Sequence, residues 1–225
     1  MTTKAAFFDV DGTLTTERVW RGILEYFRRR GLRRWTHRFF WLYHTPIYLG
    51  FKLRIISQSR FRSAWAAHLP WFIRGYTQEE AQTVWDWVAR EYLTLFWRAD
   101  ALELIKVHKA AGELVTLVSA GLTPLQEAIA TQVGADLAVG TVPELRGGRY
   151  TGRIAGLVCI DENKAALTQE AMAAKSLNID YASSTAYADS LTDLHLLQMV
   201  GNPVAFHPDN ELRPLAISRG WKIVE

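Results

Sequence analysis

The sequence predicts an α/β protein whose core is a mostly parallel sheet, with an all-helical segment inserted after the first strand. Two observations along the chain predict this class. Short apolar runs alternate with helical patterns after residue 100, which is typical of a parallel sheet flanked by helices. Residues 15–99 instead show only helical periodicity, and they differ in composition from the rest of the chain.

Charge and aromatic residues divide the chain into two regions. Residues 15–99 carry 15 Arg and Lys against 6 Asp and Glu, although the whole chain has a net charge of only +3. Eight of the nine tryptophans lie between Trp20 and Trp97. Two regions that differ in charge and aromatic content predict two lobes with different functions. We therefore expect an α/β core of residues 1–14 and 100–225 and a helical lobe of residues 15–99.

The first strand is predicted over Lys4–Val10, because Ala5–Phe8 are apolar without alternation, as in strands buried on both faces. The turn signal Asp11-Gly12-Thr13 ends it. From Glu17 to about Trp97 the pattern predicts about four helices. Breaks between these helices are expected near Gly31, Pro46, Gly50, Pro70 and Gly75.

Strands and helices alternate beyond Asp100. Strands are predicted at Glu113–Ser119, within Ile179–Ala188, at Pro203–Phe206 and at Trp221–Val224. A hairpin is predicted from Leu137–Val142 and Tyr150–Ile154, because Gly147-Gly148 between them is a turn signal. Helices are predicted at Ala101–Ala111, Thr123–Val133, Asn163–Lys175, Leu191–Val200 and within Asn210–Arg219.

The sequence argues against export and against a membrane-spanning helix. The N-terminal residues lack an apolar segment of signal-peptide length. The charge-free stretches Phe39–Phe51 and Leu194–Pro208 fall short of the roughly 20 apolar residues that a spanning helix needs. Cys159 is the single cysteine, which excludes an intramolecular disulfide and a multi-cysteine zinc site. The cytoplasm is the simplest expected location.

Polar residues follow several predicted strands at their carboxyl ends, where open α/β sheets bind ligands. Carboxylates there suit Mg²⁺, whereas a lysine and a hydroxyl suit the oxygens of a phosphoryl group. Glycines beside them let backbone N–H groups approach an anion. Each residue alone has an ordinary structural explanation, such as a turn or a helix N-cap. Together they predict a phosphate and magnesium site: Asp9, Asp11, Gly12, Ser119, Gly121, Lys164, Asp189 and Ser190.

These residues resemble the motifs of the haloacid dehalogenase-like hydrolases. Asp9–Leu14 looks like the first motif, and Asp189–Asp193 looks like the fourth. Ser119 resembles the second motif and Lys164 the third. A helical insertion between the first two motifs resembles the cap of the phosphoserine-phosphatase-like branch. The resemblance implies a Rossmann-like core and a Mg²⁺-dependent phosphomonoester phosphatase that forms an aspartyl-phosphate intermediate.

The resemblance also implies a role for each motif residue. Asp9 is expected to be the nucleophile and a metal ligand, and Asp189 a second side-chain ligand. Asp11 is expected to act as general acid and base, with its backbone carbonyl on Mg²⁺. The phosphoryl oxygens are expected to be held by Ser119, Ala120, Gly121 and Lys164, with Asp193 orienting Lys164 or a metal-bound water.

The expected substrate is a phosphorylated small molecule or a lipid-like phosphate. Phosphoserine enzymes have a glutamate shortly after the first motif that meets the substrate ammonium. The nearest residues here are Glu17 and Arg18, and their register is shifted by one. They are the candidate specificity residues, and the shift disfavours phosphoserine.

The cap combines cations with aromatic residues of the kind found at membrane interfaces. Such a face can lie on an anionic membrane and present a lipid-like phosphate to the core. The alternative is that the tryptophans form the interior of the cap and the arginines its solvated surface. The residues concerned are Trp20, Arg21, Arg28, Arg29, Arg30, Arg33, Arg34, Trp35, Arg38 and Trp41.

Two other functions are compatible with parts of the pattern. A phosphotransferase or mutase uses the same aspartyl-phosphate and differs only in the acceptor that the cap admits. A non-enzymatic module for anionic membranes or nucleic acid would explain the basic, aromatic cap. Such a module would leave the predicted phosphate site unexplained, and the cap has no recognisable nucleic-acid motif. No nucleic-acid partner is therefore expected.

Overall fold

The computed structural model describes residues 2–225, so Met1 of the predicted core lies outside the described residues. The strands are β1 Ala5–Phe8, β2 Leu114–Leu122, β3 Leu137–Thr141, β4 Pro143–Arg146, β5 Arg149–Ile154, β6 Thr185–Ala188, β7 Asn202–Phe206 and β8 Lys222–Val224. Six of them form one sheet in the order β3-β2-β1-β6-β7-β8, and every pairing in it is parallel. The predicted α/β class is confirmed.

Helices flank the sheet and fill the insertion after β1. The helices before β2 are α1 Val19–Arg29, α2 Arg34–Lys52, α3 Gln58–His68, α4 Gln78–Trp87 and α5 Ala99–Ala110. Those after β2 are α6 Thr123–Val133, α7 Glu162–Ala174, α8 Leu194–Gln198 and α9 Leu212–Ser218. The first four match the number of helices predicted for the cap. No helix among residues 2–225 is long and apolar enough to cross a membrane.

Local side-chain bonds explain where two cap helices begin. Ser57 precedes α3, and its hydroxyl accepts the N–H of Arg60. Thr77 and Glu80 form a capping box at the start of α4, in which each side chain accepts the other residue's N–H. Such caps satisfy N–H groups that have no partner within the helix.

Two predicted features of the chain are wrong. Residues 137–141 do not form a hairpin arm; β3 pairs in parallel with β2, and β4 pairs with β5 around Gly147-Gly148. A short apolar run does not reveal which strand it will pair with, so the sequence pattern assigned the wrong partner. Pro46 and Gly50 lie inside α2 instead of ending it. Pro46 is exposed, so water can satisfy the carbonyl of Leu42 that lacks a donor.

The sheet has a hydrophobic layer on each face, which explains why β1 is apolar without alternation. Phe8 and Ala6 point into a cluster that continues into the cap, where it includes Phe27 and Trp85. Phe7 points into a second cluster on the opposite face. Because the first cluster is shared, cap and core pack against each other as one apolar interior.

The β4–β5 hairpin forms a second connection between core and cap. The N–H of Tyr150 donates to the carbonyl of Tyr76 at 2.9 Å, and the N–H of Gly75 donates to the carbonyl of Tyr150 at 2.7 Å. Gly75 has a φ of +83°, a conformation that glycine adopts without strain. The hairpin thus fastens the segment between α3 and α4 to the core.

Candidate active site

The central strand β1 brings the chemistry-bearing residues together. It lies between β2 and β6, and the chain builds the sheet outward from it in both directions. Such a point leaves a crevice at the carboxyl ends of the strands. Asp9 follows β1, and its N–H donates to the carbonyl of Tyr187 in β6 at 2.9 Å. Asp189 follows β6. The two aspartates therefore meet at one edge of the sheet.

A buried lysine joins two of the carboxylates. Lys164, on α7, donates from Nζ to Asp9 Oδ1 at 2.5 Å and also to Asp193 Oδ1. All three side chains are buried. Burial alone lowers the pKa of Lys164, but the carboxylates of Asp193 and Asp9 outweigh it and raise that pKa above its ordinary value. Lys164 is therefore a cation fixed beside Asp9.

The surroundings of Asp193 hold it toward Lys164. Its Oδ2 atom accepts the hydroxyl of Ser190 at 2.8 Å, while Oδ1 accepts from Lys164. With both oxygens bonded, the carboxylate has one orientation. The orienting role of Asp193 stays a prediction.

Three buried carboxylates form a cluster that fits a divalent cation. Asp9, Asp189 and Asp193 each offer one oxygen, and these oxygens lie within 4.8 Å of one another. Among residues 2–225, Asp189 Oδ1 is buried and has no hydrogen-bond partner. A buried oxygen without a partner is costly, and a hard cation such as Mg²⁺ would satisfy it. Asp9 and Asp189 therefore fit Mg²⁺, whereas both oxygens of Asp193 already accept hydrogen bonds.

Glycine at position 12 leaves the room that this carboxylate needs. A Cβ atom built on Gly12 would lie 2.1 Å from Asp189 Oδ2, and Gly12 has a φ of +114°. Burial, and then the neighbouring Asp9 and Asp193, raise the pKa of Asp189 above its ordinary value. A bound cation would reverse that shift, since it favours the ionised carboxylate.

Asp11 lines the cavity, but its hydrogen-bond partners are not those of Asp9 and Asp193. Its Oδ1 atom accepts the N–H of Val19, the first residue of α1, at 2.6 Å. Burial raises the pKa of Asp11 despite the opposing charge of Arg18, a direction that favours the protonated acid. The backbone carbonyl of Asp11 accepts from the Arg18 guanidinium and keeps a second lone pair. The metal role of Asp11 stays a prediction.

The end of β2 supplies the predicted phosphate-binding segment. Ser119 is buried, and its hydroxyl accepts the N–H of Gly121 at 3.1 Å. Ala120 and Gly121 line the same cavity as Lys164. Thr141 of β3 donates its hydroxyl to the carbonyl of Ala120 at 2.8 Å, which holds this strand end in place. The segment thus borders the space beside Asp9.

The two candidate specificity residues occupy different places. Arg18 lines the cavity, which has a volume of about 540 Å³ and lies between core and cap. Glu17 accepts the N–H of Arg18 at 2.7 Å and forms an ion pair with Arg21 at 3.1 Å, and it is not a lining residue. Of the two, only Arg18 borders the space for substrate.

Sequence reasoning missed Arg62. This arginine of α3 reaches from the cap to the core, where Nη1 donates to the hydroxyl of Thr192 at 2.6 Å and to that of Ser190 at 3.2 Å. It thus places a cation at the predicted fourth motif. The sequence offered one signal. Arg62 lies one helical turn before Trp65 and Ala66, so it shares a face of α3 with these two buried residues.

The fold and the site define an α/β protein with a candidate phosphate-binding site, and comparison with known proteins identifies the family. The model of the haloacid dehalogenase-like hydrolases matches residues 6–198. The phosphoserine phosphatase SerB1 of Mycobacterium tuberculosis is 31% identical over 226 residues, covering 98% of this chain and 70% of that protein. A probable phosphatase of the same organism is 30% identical over 220 residues, covering 98% and 74%. The chain belongs to the haloacid dehalogenase-like hydrolase family.

Solved structures share the fold. A protein of unknown function from Bordetella pertussis has a TM-score of 0.83 and 26% identity, covering 100% of this chain and 99% of that one. A substrate-bound phosphoserine phosphatase has a TM-score of 0.61 and 18% identity, covering 100% and 94%. The predictions of the family, of the Rossmann-like fold and of a phosphatase enzyme are confirmed by these comparisons.

Proposed function

We propose that this chain is a Mg²⁺-dependent phosphomonoester phosphatase that forms an aspartyl-phosphate on Asp9. The observation that carries the proposal is the buried cluster in which Lys164 bridges Asp9 and Asp193 beside the unpartnered oxygen of Asp189. Such a cluster holds a nucleophilic carboxylate next to fixed positive charge, where a phosphoryl group can bind. The proposed substrate is a phosphorylated small molecule or a lipid-like phosphate.

In the first chemical step, an oxygen of Asp9 attacks phosphorus and the bond from phosphorus to the leaving oxygen breaks. Asp11 gives its proton to that oxygen, so the alcohol departs neutral. Lys164 and the segment Ser119–Gly121 hold the phosphoryl oxygens. Asp9 and Asp189 would hold Mg²⁺, which would supply positive charge to the phosphoryl oxygens.

In the second step, the carboxylate of Asp11 takes a proton from water. The water oxygen attacks phosphorus, the bond to Asp9 breaks, and inorganic phosphate leaves. Asp9 and Asp11 return to their starting states, which closes the cycle. The phosphotransferase alternative differs only here, because another acceptor would take the place of water.

The test is release of phosphate from a panel of phosphomonoesters with Mg²⁺ and with a chelator. The panel contains phosphoserine, a sugar phosphate, a nucleotide, glycerol phosphate and a lysophospholipid phosphate. We expect turnover of at least one ester with Mg²⁺ and its loss in chelator. A phosphorylated acceptor without free phosphate would instead identify a transferase. Absence of both products from folded protein would contradict the proposal.

We further propose that the cap, residues 15–99 by the proposed division, contacts anionic membranes at their inner face through the outer side of α2. Large apolar side chains recur there at helical spacing, and each is between 54% and 71% exposed. These are Trp35, Phe39, Leu42, Leu49 and Leu53, called here the outer stripe. An exposed apolar patch of this kind is typical of an interaction surface.

The charge around the outer stripe favours an anionic partner. Residues 26–78 contain 11 Arg and Lys and no Asp or Glu. Basic residues beside interfacial aromatics suit the surface of an anionic bilayer. Other tryptophans, among them Trp65 and Trp85, are buried within the cap, as the alternative interpretation expects.

Vesicle co-sedimentation at moderate salt tests the membrane contact. We expect binding to vesicles that contain phosphatidylglycerol and weak binding to phosphatidylcholine alone. Serine at Trp35, Phe39 and Leu42 should weaken binding roughly tenfold or more, because less apolar surface enters the bilayer. Serine at the exposed Leu95, Leu157 and Ile217 is the matched control. Equal binding by the two triple variants would argue against the outer stripe.

A further inference from the structure

The cavity at the catalytic carboxylates continues into the cap, between α2 and α3. Its volume of about 540 Å³ falls in the range of pockets that hold drug-sized organic molecules, roughly 300–1,000 Å³. The space therefore has room for a large organic group attached to the phosphate. The polar residues His44, Thr45 and Gln58 line its cap side. Six aromatic residues line the same side: Trp20, Trp41, Tyr48, Phe51, Phe61 and Trp65.

Helical geometry explains how α2 forms one wall of this space. Trp41, Thr45 and Tyr48 are four and then three residues apart, so they lie on one face of the helix. All three line the cavity, whereas the residues of the outer stripe do not. Trp41 is 47% exposed and Tyr48 is 42% exposed, so the aromatic wall extends from Asp9 to the protein surface. A chain-like group can thus lie along it.

The distribution of charge in the cavity disfavours a substrate with an ammonium group. The acidic lining residues of the described chain are Asp9, Asp11 and Asp193, all assigned to the phosphate chemistry. The other charged lining residues besides Lys164 are the cations Arg18, Arg21 and Arg62. An ammonium group in the aromatic part would meet no carboxylate there. Aromatic faces attract an ammonium group, but Arg21 and Arg62 line the same cavity and repel it, so an uncharged apolar group is favoured.

We propose that the substrate is a phosphomonoester of a long apolar alcohol, whose chain lies between α2 and α3 while its phosphate meets Asp9 and Lys164. This inference rests on the phosphatase activity proposed above and selects among its substrates. The same chemistry is found in lipid phosphates within a bilayer and in free alkyl phosphates. Thr45 has the central position on the α2 wall, and its exposed side chain makes it a site where the channel can be narrowed.

The first experiment measures kcat/KM for n-alkyl phosphates from ethyl to dodecyl, with Mg²⁺ and below the micelle concentration. Each buried methylene should raise kcat/KM roughly two- to fourfold until the channel is filled. Phosphoserine and phosphoethanolamine should fall at least roughly a hundredfold below decyl phosphate. A flat dependence on chain length, or a preference for an amine ester, overturns the inference and leaves the phosphatase activity intact.

Binding separates this inference from the catalytic proposal. Calorimetry with Asp9→Asn, Mg²⁺ and the same alkyl phosphates measures affinity without turnover. Affinity that rises with chain length supports the apolar channel even if wild-type protein releases no phosphate. Affinity that is independent of chain length overturns it. Long-chain phosphate in vesicles, compared with the free monomer, shows which source the protein prefers.

A channel variant links the effect to α2. Thr45→Trp narrows the aromatic part of the cavity at an exposed position, so the fold should tolerate it. The ratio of kcat/KM for dodecyl and ethyl phosphate should fall roughly tenfold or more. Val107→Trp, at an exposed position on α5, should keep the wild-type ratio. An unchanged ratio in Thr45→Trp would show that the chain does not lie against α2.

Discussion

Replacing Asp9 with Asn is expected to lower Mg²⁺-dependent phosphate release by roughly 10⁴-fold or more, the scale seen when a catalytic nucleophile is removed. The amide is nearly the same size as the carboxylate, but its oxygen and nitrogen are poor nucleophiles toward phosphorus. The ion pair from Lys164 to Asp9 is lost at the same time. Steady-state release from the best ester of the panel measures the effect.

Trapping of the intermediate sharpens this test. Acid-quenched wild-type protein should carry one phosphoryl group on the peptide that contains Asp9, and the variant should carry none. Asp86→Asn, on α4, is the matched control, because Asp86 only accepts a hydrogen bond from Gln82 at 3.0 Å. Residual turnover near the wild-type rate would refute a nucleophilic role for Asp9.

Replacing Lys164 with Met is expected to destabilise the fold by about 3–5 kcal/mol in the absence of divalent cations. The methionine fills much of the same volume, but Asp9 and Asp193 are then buried side by side without their shared cation. A buried charge whose partner is removed costs more than the ion pair contributes. Urea denaturation in chelator, with the free energy of unfolding extrapolated to water, measures the loss.

A second variant tests the cause of that loss. Adding Asp193→Asn to Lys164→Met removes one of the two unpaired charges and should recover part of the stability. Lys109→Met is the matched control, because Lys109 pairs with Asp136 at the surface, where an ion pair contributes about 0–1 kcal/mol. A loss below about 1 kcal/mol for Lys164→Met would mean that water or rearrangement compensates the two carboxylates.

Much of the candidate site could be predicted from the sequence, because local structure determines where its residues lie. A strand buried on both faces ends where polar residues begin, so Asp9 and Asp189 were predicted at strand ends. Parallel strands bring their carboxyl ends to one edge, and this brought the two aspartates together. The sequence signal for Lys164 was less specific, since a lysine near the start of a helix is usually solvated.

The errors concern partners that lie far away along the chain. β3 was assigned to a hairpin because the nearest turn signal suggested one, whereas its actual partner is the edge of β2. Pro46 was expected to break α2, but a helix tolerates proline where water can reach the freed carbonyl. Exposure and strand pairing both depend on the assembled fold.

By itself, the sequence determined the class of fold, the helical insertion and the acidic character of the sheet edge, and it predicted phosphate binding there. These follow from hydrophobic period and from residue type at the ends of elements, which are local properties. Only the tertiary structure decided that Arg62 reaches Ser190, 128 residues along the chain, and that Thr45 lines the cavity while Leu42 does not. The physical reason is that helical period fixes which side chains share a face, but packing against other elements decides what each face meets.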